Sequence, residues 1–339
     1  MQDKISVVTG ARGYVGYALV SELAARGEKI RLFLRHDSHE LDHFGCEKVF
    51  GDINEPEKLR AAFAGAETVY HVAGLIDITG TKDDLVWKVN FEGTKQVTDA
   101  CKACGVKNLV FVSSVDAVPA APGHALMTEP ERFDPDAVPD AYAKSKAAAS
   151  QYVLDASDDT LKTCVVMPSC CIGPDDIYGK NSVCTMIRLY DRGLFPCSLG
   201  FGAYNFIDVR DVAKGMIAAA ERGKGGESYF LSGERMTIDR FISTLAKING
   251  KRAPRIRLSK RFLLTMLPVI RLLFRLLKIP PILTVFSIEK ICENCHFSNE
   301  KARKELGFAP LTATESLTDT VARLKANPVD KDKESKKKK

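Results

Sequence analysis

Residues 7–23 read VVTGARGYVGYALVSEL, passing from a β-branched run through a glycine-rich turn into a helical repeat. The turn carries Gly10, Gly13 and Gly16 in the spacing GxxGxxG. A turn this tight needs positions without a Cβ, and a pyrophosphate can then approach the N–H groups at the positive end of the helix. The stretch therefore predicts a strand–turn–helix unit that binds a dinucleotide. The predicted contact residues are Gly10, Arg12, Gly13, Tyr14, Val15 and Gly16.

The position of Arg35 bears on which dinucleotide is bound. The predicted second strand, KIRLFLR, ends about twenty residues after Gly16, where an NAD site places an Asp or Glu on the ribose hydroxyls. An Arg suits a 2′-phosphate instead, and Arg12 lies within reach of the same region. We therefore predict NADP(H) in preference to NAD(H). The alternative is that Arg35 is a solvated strand-end residue and that Asp37 binds the ribose.

Two further stretches fit a parallel sheet with crossover helices. CEKVFGDI predicts a strand ending near Asp52 and Ile53, and GAETVYHVAG predicts one ending in Ala73 and Gly74. Such sheets bind ligands at the carboxyl edge of their strands, where small residues let a cofactor lie close, so these four are predicted cofactor contacts. The predicted fold is α/β: a Rossmann-type doubly wound parallel sheet with a smaller α/β substrate lobe near the C-terminus.

A serine pair and a tyrosine–lysine pair are the candidate catalytic groups. NLVFVSSVDAV brings Ser113 and Ser114 to the carboxyl end of a strand. In DAYAKSKAAASQYVL, Tyr142 and Lys146 are four apart and share one helix face. A free phenol titrates near pH 10, and a nearby lysine charge favours the phenolate. Tyr142 could then move a proton while a serine hydroxyl holds the substrate oxygen and a hydride passes to or from a nicotinamide.

These motifs, in this order, resemble those of an extended (atypical) short-chain dehydrogenase/reductase of the NAD-dependent epimerase/dehydratase superfamily. The resemblance continues through VNFEGT, MPSCCIGPDD, NFIDVRDVAKGM and FSNEKARKELGFAP and covers about residues 3–320. It implies that Ser114, the second serine of its pair, acts in catalysis with Tyr142 and Lys146. The cofactor contacts that it implies beyond the glycine turn are Tyr142, Lys146, Pro168 and Ser169.

The resemblance is greatest to the dihydroflavonol-4-reductase / 3β-hydroxysteroid dehydrogenase branch. DAVPAAPG stands where sugar-nucleotide relatives carry VYG after the serine. The branch implies an NADP(H)-dependent oxidoreductase that interconverts a ketone and a secondary alcohol on a hydrophobic ring substrate, such as a steroid or polyphenol. One alternative is an NAD-dependent nucleotide-sugar epimerase or dehydratase. A second is a non-catalytic NADP-sensing protein, although such proteins typically lose the tyrosine or the lysine.

The predicted domain organisation interleaves two lobes. Residues 1–168 form the NADP-binding Rossmann domain, completed by about residues 205–232, where YNFIDV and ESYFLSG return to the sheet. Residues 169–204 and 233–325 form the substrate-binding lobe. Residues 326–339 form a Lys-rich tail that we expect to be disordered.

Basic and apolar residues are combined in the segment 260–286, which reads KRFLLTMLPVIRLLFRLLKIPPILTVF. Its longest apolar run, residues 262–270, is nine residues long and too short to span a bilayer. A basic amphipathic helix can instead lie in the membrane interface and collect a lipid-soluble substrate. The alternative is that the helix simply covers the substrate pocket.

The remaining expectations concern charge, cysteines and partners. The net charge of +6 is regional, because residues 251–287 hold nine Lys or Arg and no acid, so we predict no nucleic-acid partner. Ten cysteines in a chain that begins without a signal peptide predict reduced thiols in a cytoplasm. A homodimer through helices at 90–105 and 142–156 is an expectation taken from the family.

Two cysteine spacings suggest metal chemistry but are weak signals. Cys292, Cys295 and His296 have the spacing of a haem attachment, and Cys101 with Cys104 adds a second CxxC pair. The two pairs are far apart in sequence, unlike a compact zinc module, so we predict no metal. Cys170 and Cys171 come just after Pro168 and are predicted to form small apolar walls beside the nicotinamide.

Overall fold

The computed structural model describes residues 4–77, 81–174, 176–179, 181–194, 197–276 and 283–326. Its strands, in chain order, are β1 (Ile5–Thr9), β2 (Lys29–Leu34), β3 (Glu47–Phe50), β4 (Ala66–His71), β5 (Asn108–Val112), β6 (Lys162–Pro168), β7 (Cys170–Ile172), β8 (Ser198–Leu199), β9 (Ala203–Asp208), β10 (Glu227–Leu231), β11 (Glu234–Thr237) and β12 (Arg257–Leu258). Its helices are α1 (Tyr14–Ala25), α2 (Pro56–Phe63), α3 (Asp83–Trp87), α4 (Gly93–Ala103), α5 (Ala141–Asp155), α6 (Ser182–Asp191), α7 (Val209–Arg222), α8 (Ile238–Ile248), α9 (Lys260–Leu276), α10 (Val285–Lys290), α11 (Glu300–Leu306) and α12 (Ala313–Ala326).

A seven-stranded parallel sheet forms the centre of the larger lobe. Its strands lie in the order β10-β6-β5-β4-β1-β2-β3, and all neighbours are parallel. The strand order reverses between β1 and β4, and such a switch point at the carboxyl edge is where doubly wound sheets bind ligands. The predicted doubly wound parallel sheet is confirmed.

Helices cover both faces of this sheet because its strands are apolar on both sides. In β1, Val7 belongs to the core on one face and Val8 to the core on the other. α1, α7 and α11 pack on the Val8 face, whereas α2, α4 and α5 pack on the Val7 face. Asp140 begins α5 by accepting a hydrogen bond from Ala143 N at 2.9 Å.

The smaller lobe has its own sheet and core. β9 pairs parallel with β7 and antiparallel with β11, and β8 pairs parallel with β12. α6, α8 and α12 pack around a core in which the Phe206 and Phe241 ring centroids lie 4.9 Å apart. A separate cluster holds α9 against α10 through Leu263, Leu267 and Ile288.

Two segments lie in a different lobe from the one predicted. Most of the stretch 204–209 forms β9 in the smaller sheet rather than returning to the main sheet, because Phe206 packs into the core of the smaller lobe; only β10 joins β6. Residues 300–308, predicted in the substrate lobe, pack on the main sheet beside α7. The other predicted boundaries stay predictions, and residues 327–339 of the predicted tail lie outside the described residues.

The turn between β1 and α1 requires glycine at two positions. Gly10 has a φ of +73°, and an ideal Cβ there would lie 2.5 Å from Ala73 N at the end of β4. An ideal Cβ on Gly16, in the first turn of α1, would lie 2.2 Å from Gly10 O. Neither distance is possible for a real Cβ, so backbone packs directly on backbone here.

We expect Gly16→Ala to lower the free energy of unfolding by about 3 kcal/mol or more, because backbone must move to admit the methyl group. Gly27→Ala is the control: its φ is +72°, but nothing lies within 4 Å of an ideal Cβ. That substitution carries only the left-handed strain of about 1 kcal/mol. Urea unfolding of both variants measures the difference, and equal losses would contradict the packing argument.

Candidate functional site

The glycine turn presents the N-terminus of α1 to a large cavity. α1 begins after Gly13, and its first turn contains no acidic residue, so the helix end remains positive. Four residues of this turn and helix line the cavity together with Arg12. They are Gly13, Tyr14, Val15 and Gly16. Gly10 does not line the cavity and packs against Ala73 instead.

Arg12 carries a buried donor that suits an anion. Its Nε is buried and has no hydrogen-bond partner among the described residues. Its guanidinium carbon lies 5.9 Å from the centroid of the Tyr178 ring. Because an unpartnered buried donor is costly, the site fits a phosphate group of a dinucleotide at this edge of the turn.

Arg35 lies at the end of β2, exposed and close to Asp52 at the end of β3. Burial opposes ionisation of Asp52, but hydrogen bonds from Asn54 and the nearby charges of Arg35 and Lys88 hold its pKa below the usual range. In the described parts of the chain Arg35 makes no ion pair. Its charge is therefore available to a ligand.

The two other residues predicted near this edge have structural partners. Asp37, the alternative ribose ligand, accepts a hydrogen bond from Lys48 Nζ at 2.7 Å. Ile53 is buried in the core, where an ideal Cβ on Gly93 would lie 2.5 Å from its Cδ1. Neither Ile53, Asp52 nor Arg35 lines the cavity, so their predicted cofactor contacts stay predictions.

Tyr142 and Ser114 meet at the wall of the cavity. The Ser114 Oγ accepts a hydrogen bond from Asp116 N at 3.2 Å and lies within hydrogen-bonding range of the Tyr142 phenol. Burial raises the pKa of Tyr142 above its usual range, the charge of Asp116 adds to the rise, and the hydrogen bond with Ser114 opposes it. Ser113 instead donates to Ser150 Oγ at 2.6 Å, because the hydroxyl hydrogen of Ser150 goes to Lys146 O at 2.7 Å. The geometry therefore favours Ser114 over Ser113.

Lys146 follows Tyr142 by one turn of α5 and is buried, with 4% of its surface exposed. Its Nζ donates to Val112 O at 2.7 Å and lies 4.7 Å from the centroid of the Phe111 ring. Burial lowers the pKa of Lys146 to about 7. An ideal Cβ on Gly74 would lie 3.2 Å from this Nζ, so the glycine leaves room for the ammonium group.

A buried asparagine outside the predicted site residues connects the parts of the site. Asn90 lies in a π-helical segment, Lys88–Glu92, of the kind that often marks functional sites. Its Oδ1 accepts from Leu75 N at 2.8 Å, and its Nδ2 donates to Leu75 O at 2.9 Å and to Ser145 Oγ at 3.1 Å. Asn90 thus holds the segment after Gly74 against α5.

A second buried residue, His71, links the glycine turn to the same segment. Thr9 Oγ1 accepts from Val72 N and Ala73 N, each at 3.2 Å, so its hydroxyl hydrogen donates to His71 Nδ1 at 2.8 Å. Thr94 Oγ1 donates to the Asn90 carbonyl oxygen at 2.6 Å and therefore accepts from His71 Nε2 at 3.0 Å.

These bonds assign the neutral tautomer of His71 with hydrogen on Nε2. Burial lowers the pKa of His71 to about 3, and the charge of Lys146 adds to the shift. The sequence signal was weak for both residues: Asn90 stood in the quoted motif VNFEGT, and His71 was a strand-end residue in GAETVYHVAG.

The cavity has a volume of about 1090 Å³ and extends from the glycine turn to α9. Most of its wall is apolar. The predicted residues that line it are Arg12, Gly13, Tyr14, Val15, Gly16, Gly74, Ser114, Tyr142, Lys146, Pro168 and Ser169, with Cys170 and Cys171 as predicted walls. Gly10 and Ala73 lie behind this surface, in the contact that closes the turn.

Three charged residues, which the sequence did not single out, interrupt the apolar wall near Tyr142. Lys290 Nζ of α10 lies 2.8 Å from Asp116 Oδ1 and 2.8 Å from Glu293 Oε2. Burial opposes protonation of Lys290, but the two carboxylates raise its pKa above the usual range. The cluster therefore carries two negative charges and one positive charge and joins the two lobes across the cavity.

The cysteines bear on the question of metal binding, and the helices bear on that of membrane insertion. All ten cysteines are unpaired thiols. Within the described ranges, no three His, Cys, Asp or Glu side chains are grouped as metal ligands. None of the described helices has the length and apolar composition that crossing a bilayer requires.

Comparison with known proteins gives consistent matches along the chain. The sequence model of the 3-beta hydroxysteroid dehydrogenase/isomerase family matches residues 7–258. Sterol demethylase protein B of Methylococcus capsulatus is 29% identical, with 94% of this chain and 97% of the relative covered. A 3-beta-hydroxysteroid dehydrogenase of Mycolicibacterium neoaurum is also 29% identical, over 91% and 88% of the two chains. The crystal structure of gox2253 superposes with a TM-score of 0.80 at 30% identity, covering 95% and 98%.

The neutral, buried His71 makes stability depend on pH. An unfolded histidine takes up a proton near pH 6.5, whereas the folded one does so only near pH 3. Between these values the unfolded state binds the extra proton, so stability falls as the pH falls, by about 1.4 kcal/mol per unit.

We expect His71→Gln to remove this slope. Urea unfolding at pH 6.5 and pH 5 should show that the wild type loses about 2 kcal/mol more than the variant over this interval. His124, an exposed histidine, supplies the control, because His124→Gln should keep the wild-type slope. Parallel slopes for all three proteins would show that His71 is not held neutral.

Proposed function

Because the chain belongs to the 3-beta hydroxysteroid dehydrogenase/isomerase family and is an oxidoreductase with a nicotinamide cofactor, we propose that it uses NADP(H) to interconvert a ketone and a secondary alcohol on a hydrophobic ring substrate. The observation that carries this proposal is the cavity: one apolar space holds the glycine turn, the Ser114–Tyr142 pair and the wall formed by α9. Steroids and polyphenols are the substrate classes that it suits best.

A nicotinamide bound in this cavity would supply the hydride for reduction or accept it in oxidation. Tyr142 protonates the developing alkoxide during reduction and takes the hydroxyl proton during oxidation. Ser114 donates a hydrogen bond to the same substrate oxygen. Lys146, beside Gly74 and one helical turn after Tyr142, would hold the ribose and supply positive charge when it is protonated. These roles follow the family pattern at matching positions.

Two cations support NADP(H) over NAD(H). Arg12 brings a buried, unpartnered Nε to the turn, and Arg35 brings an exposed charge to the end of β2. Asp37, the carboxylate that would favour NAD(H), is paired with Lys48. A 2′-phosphate would gain guanidinium partners from these two residues, whereas Asp37, the alternative ribose ligand, is already engaged by Lys48.

The shape and charge of the cavity support a ring substrate without phosphates. A volume of about 1090 Å³ lies just above the usual range of ligand pockets and would accommodate a polycyclic molecule beside a nicotinamide. The cluster of Asp116, Lys290 and Glu293 has a net negative charge, which disfavours the diphosphate of a nucleotide sugar. A cofactor sensor without turnover is disfavoured because Tyr142 and Lys146 both line the cavity.

Pairing of two copies through residues 90–105 and 142–156 stays a prediction, as does a cytoplasmic location. The proposed function depends on neither, since every residue assigned a role in it comes from one chain.

We expect Tyr142→Phe to reduce turnover at least 100-fold, the lower end of general acid–base contributions, and to change NADPH binding less than threefold. Tyr152→Phe is the matched control, because Tyr152 lies on the same helix but bonds Asp99 away from the cavity. Substrate is first found by screening hydroxysteroids, ketosteroids and polyphenols with the wild type. Full activity of Tyr142→Phe would refute the assigned proton transfer.

We expect Arg35→Asp to raise the Kd for NADPH at least tenfold and to change the Kd for NADH less than threefold, because only NADPH carries the 2′-phosphate. Arg12→Gln should act in the same direction. Arg192→Asp, an exposed substitution in the smaller lobe, controls for the change in net charge. Nicotinamide fluorescence titrations measure both ligands; equal effects on NADPH and NADH, or an NADH preference in the wild type, would overturn the assignment.

A further inference from the structure

Helix α9 has an apolar side that the described remainder of the chain leaves uncovered. The exposed fractions are 53% at Phe262, 49% at Val269, 55% at Leu272, 50% at Leu273 and 69% at Leu276. These positions recur at spacings of three, four and seven and therefore share one side of the helix. Isolated exposed leucines are ordinary, but five apolar side chains on one side of one helix form a patch.

The other sides of α9 carry buried leucines and a row of cations. Leu263 and Leu267 are buried against Ile288 of α10. The 17-residue helix contains no acidic residue and has four cations, and none of the four forms an ion pair within the described residues. They are Lys260, Arg261, Arg271 and Arg275. At 100° per residue they form a stripe beside the exposed apolar side, between it and the buried side.

The geometry points to an anionic lipid surface as the partner of α9, and we propose that the helix docks flat on such a membrane. The exposed apolar side would enter the acyl boundary, and the cation stripe would lie among negative headgroups. Charge complementarity favours this partner, because residues 251–287 hold nine cations and no acid. A helix of 17 residues is about 25 Å long and contains Pro268, which suits lying on a bilayer rather than crossing it.

The same helix forms part of the cavity wall. Ile270, Leu273 and Phe274 of α9 line the cavity, and so does Leu194, which is itself exposed. Since Leu273 belongs to both the cavity wall and the exposed patch, the cavity reaches the surface at the docking face. Docking would set this opening against lipid, so an apolar substrate could enter without crossing water. The substrate entry rests on the proposed function, whereas the docking does not.

Co-sedimentation of the full chain with vesicles tests the docking without any assay of activity. Binding is expected to vesicles of phosphatidylcholine with phosphatidylglycerol and to be at least tenfold weaker to phosphatidylcholine alone. The double variant Leu272→Glu/Leu276→Glu should bind the anionic vesicles at least tenfold more weakly than the wild type. Leu85→Glu/Leu126→Glu is the matched control, because these leucines are 47% and 55% exposed but lie outside α9, and this variant should bind as the wild type does.

A charge variant tests the cation stripe separately. Arg271→Gln/Arg275→Gln should weaken binding to anionic vesicles roughly 30-fold, from about 1 kcal/mol for each cation near the surface. Arg132→Gln/Lys247→Gln removes the same charge from exposed positions elsewhere and should weaken binding less than threefold. The Lys-rich tail is identical in all variants, so any contribution from it is shared. Circular dichroism and Tm verify that each variant is folded.

Three results would overturn the proposal. One is absence of binding to anionic vesicles by the wild type. Another is equal binding by the α9 variants and their controls, which would assign the membrane affinity to another part of the chain, such as the tail. The third is a wild-type dimer in sedimentation equilibrium that the Leu272→Glu/Leu276→Glu variant dissociates, since a second copy would then cover the patch.

Discussion

The contact of two backbones without side chains between them is the constraint on which the site depends. Gly10 packs against Ala73 N, and Gly16 packs against Gly10 O, so β1, the turn and the end of β4 form one unit. The hydrogen bonds of Thr9 and His71 connect this unit to Asn90, and Asn90 connects it to α5. The position of Tyr142 relative to the nucleotide end is therefore set by buried, fully bonded groups.

The parts of the fold and site that could be predicted are those with a local signature. The spacing of the glycines can be recognised within one strand and the helix that follows it. The four-residue interval between Tyr142 and Lys146 can be recognised within a single helix. The doubly wound sheet and the short-chain dehydrogenase/reductase resemblance are confirmed for this reason. The choice of Ser114 over Ser113 stays a prediction, which the bond between Ser113 and Ser150 supports.

The parts that could not be predicted depend on contacts between distant segments. Lys290 meets Asp116 only after the smaller lobe has folded over the cavity, and no pattern around either residue indicates the pair. His71 was one of several polar residues near strand ends, and its network exists only when β1 and the segment after the π-helical turn lie beside it. The prediction that the β9 segment returns to the main sheet was wrong for a similar reason. A short apolar strand fits either sheet, and the packing of Phe206 in the smaller lobe decides between them.

The interleaving of the two lobes has a consequence for how the chain is made. β10 is the outermost strand of the main sheet, and it pairs with β6, but residues 169–226 are synthesised between them. Any main sheet that forms before residue 227 has been made would carry Val165, Val166 and Met167 on an unpaired edge, which is a template for wrong pairing with another chain. Completion of β10 after the smaller-lobe segment would remove that edge from β6, so folding that waits for β10 avoids the hazard.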